Sequence, residues 1–171
     1  MVGYLEVSAR QTGKTSRLVQ AATEAHFLHG KTVIIVSPCA NVIKELAPFA
    51  AIVVKTEEAA LEAIQRRRGR IDDYAWFYDE FDFLKGNVSV RPDAYYTTTA
   101  AYLRRVYAMT EEEIKEDVLL QLVSIHRRMV ITYAHFPTAY RKMAHAAKDF
   151  PPGRAETEVE GRFIEYAKKP D

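Results

Sequence analysis

A continuous apolar run at residues 32–36 constrains the fold of this chain more than any other feature. The run contains Val33, Ile34, Ile35 and Val36 and is bounded by Gly30 and Pro38. A strand that is apolar on both faces must be covered on both faces, which is typical of a central strand in a parallel sheet. Further strands are predicted at residues 4–7, 52–54, 74–78 and 94–96.

Helical patterns separate these strands. Apolar residues recur at helical spacing from Lys14 to about His29, and further helices are predicted at 41–49 and from Thr56, as N-cap, to about Arg68. Strands that alternate with helices predict right-handed crossovers, and therefore an α/β fold with a mostly parallel sheet flanked by helices.

The pattern changes after residue 100. Helices are predicted at 100–108, at 111–128 with a capping box formed by Thr110 and Glu113, and at 138–149. Residues 129–134 fit either a last strand or a continuation of the preceding helix. We therefore expect a core at residues 1–108 and a helical C-terminal extension at 109–171, packed on the same domain.

Composition limits the classes of protein that this chain can represent. A length of 171 residues fits one domain, and a net charge of +1 gives no global signal for nucleic acid or membrane. The single cysteine, Cys39, excludes an internal disulfide and a thiolate zinc cluster. No apolar run approaches about 20 residues and no signal peptide is recognisable, so we expect a cytoplasmic protein without membrane contact.

The segment from Ser8 to Thr15, SARQTGKT, lies between the first strand and the first helix. It ends like a phosphate-binding loop: Gly13 permits a tight turn, Lys14 reaches β- and γ-phosphates, and Thr15 supplies a hydroxyl for Mg²⁺. Ser8 stands where such loops usually begin with glycine, and it is small enough for a strand end. The predicted nucleotide-binding residues are Ala9, Arg10, Gln11, Thr12, Gly13, Lys14, Thr15 and Ser16.

An acidic pair, Asp79-Glu80, follows the aromatic strand at 74–78. Ligands collect at the carboxyl ends of strands in open α/β sheets. We therefore expect Asp79 to hold Mg²⁺ through water, together with Thr15, and Glu80 to polarise the water that attacks the γ-phosphate of ATP.

Arg10 is unusual because it is a bulky cation inside the loop. Its guanidinium is a candidate for stabilising charge on the γ-phosphate, as an arginine finger supplied by the same chain. The other interpretation is an ion pair at the sheet edge with Asp82.

The sequence from Arg10 to Thr15, RQTGKT, resembles the arginine-bearing phosphate loop in the ATPase domain of phage terminase large subunits, the motors that package DNA. The resemblance covers about the first hundred residues. It implies a RecA-like P-loop ATPase in which Arg10, Lys14 and Glu80 are catalytic. It further implies ATP and Mg²⁺ as cofactors, a homo-oligomer, a separate nuclease or other packaging protein as partner, and the host cytoplasm as location if the chain is phage-encoded.

Three threonines, Thr97, Thr98 and Thr99, match the strand end that couples hydrolysis to movement in that family. Equally, they are interpreted as ordinary β-branched residues whose hydroxyls bind backbone. The chain departs from the family in three respects. Only seven residues precede Ser8, where members carry an adenine-binding segment; a nuclease domain does not fit after the ATPase; and the spacing from Glu80 to Thr97 is tight.

Local basic clusters are the candidate DNA contacts, because backbone phosphates are bound by Lys and Arg side chains. Each cluster is equally a basic helix end that meets solvent. The candidates are Arg66, Arg67, Arg68, Arg70, Arg104 and Arg105.

The sequence thus predicts an ATPase that couples hydrolysis to DNA translocation, packaging or remodelling. Two alternatives stay open: a small deoxynucleoside kinase of the thymidine kinase type, and an ATP-gated protein-binding module without turnover. Kinases of that type usually carry a cysteine-rich zinc site, which a single Cys39 cannot supply.

Overall fold

In a computed structural model, residues 3–126, 129–132, 154–158 and 162–168 are described. The strands are β1 (Tyr4–Ser8), β2 (Thr32–Val36), β3 (Ile52–Val54), β4 (Tyr74–Asp79), β5 (Tyr95–Thr98), β6 (Arg104–Arg105), β7 (Met129–Thr132) and β8 (Ile164–Glu165). The helices are α1 (Lys14–Phe27), α2 (Ala40–Leu46), α3 (Glu57–Arg66), α4 (Glu111–Glu116), α5 (Val118–Ile125) and α6 (Arg154–Glu158).

The main sheet has six strands in the order β3-β2-β4-β5-β1-β7, and every pairing in it is parallel. This confirms the α/β class and the parallel sheet flanked by helices. All strand carboxyl ends therefore lie at one edge of the sheet, where the segments after β1, β2, β4 and β5 meet.

Two apolar layers cover the sheet. On one face, Leu18 and Ala22 of α1 and Ile43 of α2 pack against Val33 and Phe77. On the other face, residues of α3 and α5 pack on a second set that includes Leu5, Ile34, Trp76, Tyr78 and Tyr96. The four residues from Val33 to Val36 are thus buried from both sides, as their composition predicts.

Strand β7 resolves the alternatives for residues 129–134, because it pairs with β1 along Leu5–Met129 to Ser8–Thr132. The segment assigned to a helical extension therefore contributes a strand to the main sheet. The helix predicted at 138–149 lies outside the described residues.

The helix predicted at 100–108 is wrong. Arg104 and Arg105 form β6, which pairs with β8, and only Val106–Ala108 make a single 3-10 turn. The reason is tertiary: Arg104 is 2% exposed and its guanidinium binds Asp82 (2.6 Å) and Asp117 (2.9 Å). These contacts override the helical propensity of the segment.

Asp117 also divides the helix predicted at 111–128. Its backbone is extended, and its Oδ1 accepts the N–H of Leu120 at 2.9 Å, so that it caps α5. The capping box of Thr110 and Glu113 is present at the start of α4. One aspartate therefore ends the first helix and begins the second.

The buried cluster of Arg104, Asp82 and Asp117 predicts a stability effect. Burial alone would lower the pKa of Arg104, but hydrogen bonds and charge from Asp82, and then the charge of Asp117, raise it above its ordinary value. Arg104→Ala leaves two carboxylates without their cation and is expected to lower the free energy of unfolding by about 3–5 kcal/mol.

The matched control is Arg66→Ala, since Arg66 forms only an exposed pair with Glu62 at 3.1 Å. Its expected cost is below about 0.5 kcal/mol. Urea unfolding of both variants measures the difference, and equal costs would contradict a structural role for the cluster.

Candidate functional site

The loop between β1 and α1 has the backbone of a tight turn. Gly13 adopts φ 81° and Gln11 adopts φ 57°, both in the left-handed region. Gly13 is the N-cap of the 14-residue helix α1 and, as a glycine, has no side chain to accept a hydrogen bond from the first helical N–H groups. The first N–H groups of a helix lack intrahelical acceptors and attract anions. The predicted order of strand, loop and helix is therefore present.

The second motif lies directly beside this loop. Thr15 Oγ1 donates to Asp79 Oδ1 at 2.9 Å, and Lys14 Nζ lies 2.8 Å from Glu80 Oε1. Lys14 and Asp79 are both buried, at 4% and 2% exposure. The structure thus brings together the four residues on which the sequence prediction depends most.

Asp79 is held by three hydroxyl groups. Besides Thr15, Ser37 Oγ donates to Asp79 Oδ2 at 2.9 Å and Thr97 Oγ1 donates to Asp79 Oδ1 at 3.2 Å. The orientation of this buried carboxylate is therefore fixed by three hydroxyl donors.

Ser37 is a residue that sequence reasoning missed. It directly follows β2, is fully buried, and its Oγ also accepts the N–H of Cys39 at 3.1 Å. The sequence signal for Ser37 is a polar residue directly after a buried strand. That signal predicts no particular chemistry, because a single serine matches no sequence motif.

Glu80 has a strained backbone with φ 48°. For a residue with a side chain, this region costs on the order of 1–3 kcal/mol and is tolerated where other contacts hold it. The second oxygen of Glu80 accepts the N–H of Thr99 at 2.8 Å, so the carboxylate bridges Lys14 and the end of β5.

The three threonines at the end of β5 have different surroundings. Thr97 contacts Asp79, and the Thr98 hydroxyl donates to the Thr99 carbonyl at 2.9 Å. Among the described residues, Thr99 Oγ1 is buried with no hydrogen-bond partner. Thr97 and Thr99 thus contact the two acids Asp79 and Glu80, whereas the Thr98 hydroxyl bonds to backbone groups.

Arg10 forms an ion pair, but its partner is Glu158 and not the candidate Asp82. Asp82 is occupied by Arg104, whereas Arg10 Nε lies 3.4 Å from Glu158 Oε2 in α6. The Arg10 N–H also donates to the Glu158 carbonyl at 2.9 Å. The Arg10 side chain remains 58% exposed at the mouth of the loop.

The basic residues do not form one surface around this site. Arg66, Arg67, Arg68 and Arg70 lie in the connection that enters β4, at the sheet edge opposite the loop, and are exposed. Arg104 is buried inside its ion pairs and is therefore removed from the candidate DNA contacts. Arg105 is half exposed and lies 3.3 Å from Glu165.

Comparisons of this chain with protein-family models, with curated protein sequences and with solved structures find no match. Its function must therefore be inferred from the geometry of the site.

The oxygen donors at the contact of Thr15 and Asp79 are one hydroxyl and one carboxylate. Within the described ranges, no three His, Cys, Asp or Glu side chains form a cluster able to hold a metal. Mg²⁺ bound with a nucleotide needs less, because it keeps several waters and takes one or two protein oxygens plus phosphates. A hydroxyl and a carboxylate in contact at 2.9 Å fit that requirement.

Two findings concern the wider surface. Among the described helices, none is long and apolar enough to cross a membrane. Beside the turn that follows Glu80, a groove of about 700 Å³ is lined in part by Phe81, Asp82, Tyr102 and Asp117. Two of its charged side chains, Asp82 and Asp117, form ion pairs with Arg104, which also lines the groove.

Proposed function

We propose that this chain is a magnesium-dependent P-loop ATPase. The observation that carries the proposal is the contact of Lys14 and Thr15 with Glu80 and Asp79, across a separation of 64 residues between Thr15 and Asp79. Either motif alone is common at strand ends. Their convergence at one edge of a parallel sheet is the arrangement that phosphoryl transfer from a nucleotide requires.

The triphosphate binds in the loop formed by residues 9–16, against the amino end of α1. Lys14 would contact the β- and γ-phosphates, and Thr15 and Asp79 are the residues that would hold Mg²⁺. The ion would supply positive charge that offsets the negative charge of the phosphates. The burial of Lys14 and Asp79 strengthens their electrostatic contacts, because little water screens them.

Glu80 is the residue proposed to orient the attacking water. One of its oxygens pairs with Lys14 and the other accepts the Thr99 N–H. The triphosphate competes for the Lys14 ammonium, which leaves the first oxygen of Glu80 to accept a hydrogen bond from water. Glu80 then takes a proton from the water as the water oxygen bonds to the γ-phosphorus and the bond from that phosphorus to the β-γ bridging oxygen breaks, which releases ADP and inorganic phosphate.

Arg10 is proposed to stabilise charge on the γ-phosphate. Its position in the loop and its 58% exposed side chain leave it able to turn inward from Glu158. The contact with Glu158 at 3.4 Å is long for an ion pair, and a pair with a partly exposed member is weak. A developing phosphate charge is therefore a competitive partner for this guanidinium.

The end of β5 is proposed to couple hydrolysis to movement, in line with the terminase resemblance. Thr97 donates to Asp79, the proposed metal-binding residue, and the Thr99 N–H donates to Glu80. A movement of either carboxylate would therefore displace the same strand end. The groove beside Phe81 and Asp82 adjoins this strand end through the Ala101 N–H, which donates to Asp82 at 2.6 Å.

DNA translocation or packaging is the proposed use of this activity. The candidate contacts that remain are the four exposed arginines near the entry to β4, together with Arg105. A homo-oligomer and a separate nuclease or other packaging protein are the partners that the terminase resemblance implies.

The variant Glu80→Gln is expected to keep MgATP binding and to lose turnover by at least about a hundredfold, because the amide cannot act as a base. Binding is measured by calorimetry and turnover by phosphate release. The matched control Glu112→Gln, at an exposed position in α4, is expected to change neither. Unchanged hydrolysis in Glu80→Gln would remove Glu80 from the mechanism.

The variant Arg10→Ala is expected to lower kcat by roughly 10²-fold, the cost of losing one donor to transition-state charge. The Kd of MgATP should change little, since the loop and Lys14 remain. Lys31→Ala is the control for removal of an exposed cation elsewhere. A lower unfolding temperature with unchanged kcat would instead assign Arg10 to its contact with Glu158.

The choice between a motor and the two alternatives is made by ATP turnover across a panel of single-stranded and duplex DNA, with thymidine tested as phosphate acceptor. We expect stimulation by at least one DNA. Labelled thymidine monophosphate would indicate the kinase, and tight binding without hydrolysis would indicate the gated binding module.

A further inference from the structure

A buried glutamate lies behind the phosphate loop and has no part in the proposed chemistry. Glu6 is in the middle of β1, is 0% exposed, and pairs in register with Thr97, which pairs in turn with Asp79. Neighbours in register point to the same face of a sheet. Glu6, Thr97 and Asp79 therefore form one polar row beneath the first turns of α1.

Arg17 of α1 binds this glutamate with two donors. Its Nε lies 3.1 Å from Glu6 Oε2, and its second amino group contacts Glu6 Oε1. Hydrogen bonding to Glu6 raises the pKa of Arg17 above its ordinary value, against the effect of burial. Glu6 and Arg17 thus form a fixed bidentate pair across the strand and the helix.

The third donor of Arg17 reaches the loop itself. Its remaining amino group donates to the Thr12 carbonyl at 2.8 Å, immediately before Gly13. Thr12 is also held by its side chain, whose hydroxyl donates to the Ala9 carbonyl at 3.0 Å and lies 2.8 Å from the Ser8 hydroxyl. The carbonyls of Ala9 and Thr12, at the two ends of the turn, therefore both accept side-chain hydrogen bonds.

Ser8 connects the two sets of contacts. Its hydroxyl lies 3.2 Å from Glu6 Oε1, with a geometry in which the serine donates. Each hydroxyl has one hydrogen, so Ser8 links Glu6 to Thr12 when the Thr12 hydroxyl donates to Ser8 instead of to the Ala9 carbonyl. Arg17 provides the second link between Glu6 and Thr12. The residue that replaces the usual first glycine is part of this network, rather than merely small enough to be tolerated.

We propose that Glu6, Ser8 and Arg17 are positioning residues that hold the backbone of residues 9–14 ready for phosphate, an inference that rests on the proposed nucleotide binding. The loop contains the left-handed residues Gln11 and Gly13, so its conformation must be maintained by outside contacts. A loop fixed before binding loses less conformational freedom when the nucleotide arrives.

The sharpest test is Ser8→Gly, which restores the common glycine-first pattern. If a small residue were all that the position requires, this variant would bind nucleotide as well as the wild type or better. The network predicts a Kd for MgADP at least fivefold weaker, and the same loss in Ser8→Ala, which removes only the hydroxyl.

Arg17 supplies the second test. Arg17→Met removes every donor and is expected to weaken MgADP binding about tenfold or more, whereas Arg17→Lys keeps one cationic donor and should recover part of the affinity. Gln20→Met, on an exposed position of the same helix, is the control and should bind as the wild type does. Affinities are measured where circular dichroism shows each variant fully folded, because a merely structural role lowers the unfolding temperature without changing Kd.

Hydrogen exchange without nucleotide separates this inference from the proposed function. The amides of residues 9–14 should exchange at least tenfold faster in Ser8→Gly and Arg17→Met, with β2 and β4 unchanged. If the wild type binds no nucleotide, the proposed function fails and exchange alone decides the network. Unaltered exchange in the loop, or unaltered affinity in both variants, would overturn the positioning role.

Discussion

The structure depends on a row of buried polar side chains that crosses the sheet where its strands end. Glu6, Thr97 and Asp79 stand on three adjacent strands, and Ser37 follows the next one. Placing charge in the core of an α/β sheet is costly unless each charge has partners. Helix α1 supplies them, because Thr15 binds Asp79 and Arg17 binds Glu6. One helix terminus is thereby fixed at two points above the row.

These contacts hold the site together. The lysine of the loop pairs with Glu80, and the aspartate is surrounded by hydroxyls. The pair of Lys14 and Glu80 joins the residue proposed to meet phosphate to the residue proposed to act on water. In the proposed function, nucleotide binding is an exchange of partners within this cluster, so little reorganisation of the fold is required.

Much of the fold could be predicted from the sequence, because burial dictates it. The run at 32–36 and the aromatic strand β4 are apolar on both faces, and only a covered parallel sheet accommodates them. The approach of the loop to the Asp79-Glu80 pair could be predicted for a different reason. Each segment follows a strand, and the carboxyl ends of parallel strands lie at one edge of the sheet. The helix predicted at 100–108 is wrong because its pattern reflects only neighbouring residues. The conformation of this segment is set instead by the ion pairs of Arg104 with Asp82 and Asp117.

The supporting part of the site was beyond sequence reasoning for a similar reason. Glu6 within a strand and Arg17 on a helix are ordinary charged residues in a linear sequence. Only the register of β1 with β5 places Glu6 in a row with Thr97 and Asp79, beneath Arg17 of α1. Motifs report the residues that touch a ligand. The residues that hold those in place are defined by tertiary contacts, which no short pattern contains.

The most direct measurement is a double-mutant cycle on MgATP affinity with Lys14→Ala, Asp79→Asn and the double variant. If both residues act on one metal–triphosphate, each single change weakens binding strongly, and the double variant is little worse than the poorer single, with a coupling energy on the order of 1–3 kcal/mol. Strictly additive losses, or singles that bind MgATP as the wild type does, would contradict the account.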